Sequence, residues 1–131
     1  MQVDRRELVA IFAGGALGAL LRAGLAEAFA SRAGQWPWTT FAINVAGCFM
    51  LGFFITRLQE RLPLSAYRRP LLGTGFCGAL TTFSTFQLEL VRMVDKDHAG
   101  LAVSYGAASV VAGFSALLVA TSIVRRARFA R

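Results

Sequence analysis

Histidine, asparagine and lysine each occur once in this 131-residue chain, cysteine twice and proline three times. A lone histidine, His98, sits beside Asp95 and Asp97 and has no convergent partners for a metal centre, so it reads as a solvated loop residue. Cys48 and Cys77 lie far apart with neither CxxC nor metal-ligand spacing, and read as small apolar packing residues. Charge is scarce as well. Charged residues make up 16% of the chain against 56% hydrophobic, which exceeds the usual apolar share of a globular domain.

The charges that do occur leave long gaps. Twenty-six consecutive residues from Ala99 to Val124 carry none, nor do twenty from Pro37 to Thr56, nor nineteen from Pro70 to Leu88. A bilayer core is crossed by about 20 predominantly apolar helical residues. A fourth stretch, Leu8 to Ala30, is long enough but carries Arg22 and Glu27 towards its far end. The chain therefore reads as an all-α membrane protein, a single domain of four transmembrane helices over about 8–30, 37–56, 70–91 and 99–124. A cleaved signal peptide fits the first stretch poorly, because Arg22 and Glu27 stand where a cleavage region is small and neutral.

A net charge of +7 would suggest nucleic acid in a soluble protein. Here the basic residues flank spans, so anchoring and orientation account for them. Arg5, Arg6, Arg57, Arg61, Arg68, Arg69, Arg125, Arg126, Arg128 and Arg131 fall on the side of the N-terminus. Arg32, Arg92 and Lys96 fall on the other. Ten against three places both termini in the cytoplasm.

Function must then lie among the helices. Gly14 with Gly18, and Ser109 with Gly113, are small-residue pairs that let helix backbones approach closely. Four helices are too few to enclose a wide pore, which favours an oligomer with small-residue faces at helix contacts. Asn44 lies midway along the second span, where an amide is costly unless it finds partners. Arg22 sits late enough in its helix to snorkel or to face a water-filled vestibule at the mouth of an anion path. Tyr105 and Ser109, four apart, share a face of the last helix and can line a polar track.

The stretch "GFCGALTTFSTF", Gly75 to Phe86, is a poor helix by propensity. In lipid, backbone leaves helical geometry only where its freed polar groups line a cavity or meet protein. The stretch predicts a third helix broken near the bilayer middle, with carbonyls for a small hard cation and amides for an anion. Phe83 and Phe86 follow at i, i+3. Such a pair is ordinarily core packing, but a phenyl ring is positive at its edge. Beside a helix break and a lone amide, two ring edges make a narrow uncharged lining that tolerates an anion.

At these residues the chain resembles the small bacterial fluoride channels, the Fluc or CrcB family. The resemblance runs along the whole chain, through "GGALGALLR", "TTFAINVAGCFMLG" and, most specifically, "GFCGALTTFSTF". It implies an antiparallel, dual-topology dimer in a bacterial inner membrane, with two fluoride pores and a structural Na⁺ held by backbone carbonyls. Carried over, the pore phenylalanines are Phe83 and Phe86, the pore amide Asn44, the vestibule arginine Arg22, and the polar track Tyr105 and Ser109. The Na⁺ carbonyls are those of Gly78 and Thr81. Ala23 departs from the pattern, since many members have an aromatic residue there, and Gly113 offers no hydroxyl to extend the track.

The reading is a passive fluoride exporter that protects the cell from fluoride, and not an enzyme. Spans two to four are read as free of Asp, Glu, Lys and Arg, leaving nothing to couple transport to an energy source. A four-helix multidrug exchanger needs a membrane-embedded carboxylate, and Glu7 and Glu27 are badly placed for one. A non-transporting scaffold would make Asn44 and the break merely structural. A hydrolase at Ser84 lacks a His or acidic partner. The lysine and arginine bias argues against dual topology. A homodimer is nonetheless favoured over pairing with a homologue of opposite bias, because the chain supplies every pore and Na⁺ element.

Overall fold

Asp4 starts the first helix by accepting the Arg6 N–H at 2.9 Å, and α1 then runs Arg5–Ala28. The structure is a computed structural model and describes residues 4–32, 34–61 and 67–129. Pro37 precedes α2, Trp38–Arg61, where its missing N–H is no loss. The third span comes in pieces. A π-helix, Pro70–Cys77, leads into one α-helical turn, α3, Gly78–Leu80. Thr81 (φ −72°, ψ 151°) and Thr82 (φ −140°, ψ 116°) are extended, and α4 follows over Phe83–Asp95. The last helix, α5, is Ala99–Phe129.

Thr82 caps α4 by accepting the Thr85 N–H on its hydroxyl at 3.2 Å. At the other end of α4, the His98 N–H reaches the Met93 carbonyl at 2.8 Å and the Asp97 N–H reaches that of Val94 at 3.0 Å. Asp97 supplies the left-handed residue this closure requires, at φ 59°. The turn into α5 is thereby tight.

Among the described residues three helices are long and apolar enough to cross a membrane, within α1, α2 and α5. The third span is not among them, because its break leaves no piece long enough. Large apolar side chains face outward: Phe12, Leu20 and Val103 are each exposed to 70% or more, as befits contact with lipid.

Packing divides the third span between two neighbours. Its first half lies on α1, where Gly14 and Gly18 face it so closely that a Cβ on either would overlap the Leu71 or Phe76 carbonyl. Its second half, α4, packs on α5, and α5 also packs along α2. Between α4 and α5 lies a small core of Phe86, Met93, Ala102 and Tyr105, flanked by Trp36, Phe41, Leu90 and Leu101. The span changes partners at Thr81–Thr82.

Candidate functional site at the helix break

Asn44 of α2 grips that crossover point with both ends of its amide. Its Nδ2 donates to the Thr82 carbonyl at 3.1 Å, and its Oδ1 accepts the Thr82 N–H at 2.8 Å. One turn on, Gly47 makes room: a Cβ there would overlap the Thr81 methyl. The amide therefore has partners, and one Nδ2 hydrogen remains for a further acceptor.

This grip has an effect on the carbonyls before it. In an unbroken helix the Thr82 N–H would bond the Gly78 carbonyl, but it is turned to Asn44 instead. Thr81 bonds back to the Cys77 carbonyl through its N–H at 3.1 Å and its hydroxyl at 3.0 Å. Its own carbonyl leaves the helix direction with ψ 151°. Gly78 and Thr81 both line an open cavity of about 390 Å³, with Leu51, Ile55 and Thr74. On the α1 side, the Arg22 Nε donates to the Ala79 carbonyl at 3.0 Å, holding the end of α3.

Past the break, the Phe83 and Phe86 rings lie 6.1 Å apart at an interplanar angle of 37°. Their surroundings differ. Phe83 is 71% exposed on the single chain, whereas Phe86 is buried against the Tyr105 ring at 5.3 Å. Tyr105 is fully buried and donates its hydroxyl to Glu89 Oε2 at 2.7 Å. The Ser109 hydroxyl, one turn on, is buried without a hydrogen-bond partner. Ala23 is exposed and Gly113 abuts the Cys48 sulfur.

Glu89 corrects the expectation that spans two to four are free of acidic and basic groups. It lies in α4, and its second oxygen, Oε1, accepts the Thr40 hydroxyl of α2 at 2.6 Å. Two charge-assisted hydrogen bonds hold the carboxylate between three helices. Thr40, Thr82 and Glu89 were missing from the residues singled out by sequence. Glu89 is three residues beyond Phe86, and Thr40 four before Asn44, so helical spacing would have pointed to both. Ser84 is exposed on the single chain and its hydroxyl lies 3.4 Å from that of Thr82, without a His or acidic hydrogen-bond partner among the described residues.

A family model described as CrcB-like protein, Camphor Resistance (CrcB), matches residues 9–121. The chain belongs to the CrcB family. The matched region contains every residue named at the break, from Arg22 to Ser109. This CrcB chain is 56% identical over 130 residues to a protein of Mycolicibacterium paratuberculosis named fluoride-specific ion channel FluC 1, covering 99% of this chain and 98% of that one. A protein of the same name from Mycobacterium tuberculosis is 56% identical over 128 residues, covering 98% and 97%. FluC of Acidobacterium capsulatum is 44% identical over 105 residues, covering 79% and 84%.

Proposed function

We propose that this CrcB-family chain is a subunit of a fluoride-selective channel that lets fluoride leave the cell passively, with two pores in an antiparallel dimer. The observation that carries the reading is the 56% identity, over nearly the whole chain, to proteins named as fluoride-specific channels. The geometry agrees with it. A small, strongly hydrated anion needs donors that replace its water without a fixed charge that would trap it. The spare Asn44 hydrogen and the unpartnered Ser109 hydroxyl are such donors, and the Phe83 and Phe86 edges add a weakly positive wall. Tyr105 contributes differently: its proton is committed to Glu89, so it places its ring and holds the carboxylate.

A structural Na⁺ fits the neutral carbonyls of Gly78 and Thr81, since one has lost its helical partner and both line the open cavity. When bound, the ion would supply a fixed positive charge. Two carbonyls from each of two antiparallel chains would surround it, and Asn44 and Arg22 hold the neighbouring backbone in place through the Thr82 and Ala79 carbonyls. Because the cavity at Gly78 and Thr81 is open on a single chain, a second copy is the natural cover. The membrane is the bacterial inner membrane.

Glu89 also supports a second reading, as the embedded carboxylate of a proton-coupled exchanger. Its two hydroxyl donors speak for a held acceptor rather than a free proton carrier. Reconstitution decides between them. Liposomes containing the purified protein should release fluoride to an ion-selective electrode and retain chloride. Equal release of both anions would overturn selectivity, and cation flux driven by a pH gradient would favour the exchanger.

A further inference from the structure

We infer that the cavity of about 230 Å³ between the α1–α2 connection and α4 is an anion-collecting mouth, in which Arg32 and Arg92 concentrate fluoride ahead of the uncharged lining. This inference rests on the fluoride reading above. Besides the two arginines, the wall includes Gln35, Thr40, Thr85 and Glu89.

Three observations converge on it. First, Thr40 and Glu89 are shared between this cavity and the polar group that leads inward, since Thr40 and Tyr105 both bond Glu89 and Ser109 follows Tyr105 by one turn. The cavity wall and the track therefore meet at Glu89. Second, neither the Arg32 nor the Arg92 guanidinium has an ion-pair or hydrogen-bond partner among the described residues. The one carboxylate in the wall already accepts two hydroxyl hydrogens, and Asp95 and Asp97 are not part of the lining. Third, apart from Arg22 within α1, only three of the fourteen lysines and arginines fall at this end of the molecule, and two of those three line this one cavity. Anchoring the chain in its membrane calls for basic residues at the opposite end. Their placement here is explained by a local anionic solute.

Such a mouth acts through charge alone. With two guanidiniums against one carboxylate the wall carries an excess of positive charge, and a low-dielectric cleft of that kind focuses its field and raises the local concentration of counter-ions. Fluoride and chloride carry the same charge, so the mouth sets how fast anions arrive, and selection is left to the deeper lining.

The test is fluoride efflux from liposomes at millimolar fluoride, measured across a series of ionic strengths made with an impermeant salt. Parent flux should fall as salt screens the arginines, over a Debye length of about 10 Å at 0.1 M. The double variant Arg32→Gln with Arg92→Gln should be about tenfold slower at low salt, in line with focusing effects of that order. The deficit should close as salt rises, with chloride still excluded, and Arg32→Lys with Arg92→Lys should restore the salt response. Parent flux that ignores ionic strength would overturn the mouth with no variant needed, as would a Gln pair that matches the parent at every salt concentration. A parent that passes no fluoride at all would instead overturn the channel reading.

Discussion

Single side chains at the break separate packing from pore chemistry. Phe83 is largely uncovered on its own chain, so Phe83→Ile should change stability by no more than about 0.5 kcal/mol. Fluoride efflux should nevertheless collapse, because isoleucine keeps the bulk and loses the positive ring edge. Normal efflux from that variant would make the ring a spacer. Phe86 gives a less direct test, since its ring also packs on Tyr105. Tyr105→Phe keeps that packing and removes one hydroxyl from Glu89, which should cost about 1–3 kcal/mol. Thermal unfolding in detergent reads this directly, and an unchanged midpoint would mean that water takes over the lost bond. Much of this chemistry was legible in residue type alone: one asparagine in a span and two phenylalanines beside a glycine-rich break declare themselves. Glu89 did not. The uncharged run stops at Leu88, so the next residue reads as the end of a span. What keeps its carboxylate among the helices is Thr40, forty-nine positions away, and Tyr105, sixteen away.

At the level of elements, the close approach of α1 to the third span makes glycines unequal. Gly18 leaves no room for a Cβ against the Phe76 carbonyl, whereas Gly24 on the same helix has nothing within 4 Å of one. Gly18→Ala should therefore destabilise the fold by about 1–3 kcal/mol through overpacking. Gly24→Ala should stabilise it by up to about 1 kcal/mol, the helix-propensity difference. Both are checked by the same thermal unfolding, and equal shifts would mean that the helices adjust around the added methyl. The sequence marked Gly14 and Gly18 as a packing face but could not name the partner, because any span with small residues would serve. The structure turns that face inward, onto the π-helix of its own chain. The wide π turns were also illegible. Weak helix propensity over Gly73, Gly75 and Gly78 predicts a defect somewhere, and tertiary contact with α1 decides where it falls.

For the whole molecule, charge and assembly pull in different directions. Tyr67 reaches Asp4 at 3.5 Å, so the residues just before the π-helix lie against the start of α1, and Arg68 and Arg69 share one end with Arg5 and Arg6. Ten arginines against three basic residues favour a single orientation, while an antiparallel dimer of one chain needs two. The expected outcome is that the chain expressed alone purifies as an active dimer whose terminal cysteine probes label from both sides of the membrane. Labelling from one side with no fluoride flux would mean that an oppositely inserted relative is required.

The divided third span also bears on how the protein is made. Its two halves are short and broken at Thr81–Thr82, and the second contains Glu89, so neither offers the translocation machinery a segment that would settle in lipid unaided. Its first half rests on the glycine face of α1 and its break on Asn44 of α2, both synthesised earlier, whereas α4 packs on α5, which follows. Biogenesis is therefore sequential. A nascent chain reaches its four-span form only after its first two helices have inserted to receive the first half of the third, and the last helix has followed to receive the second.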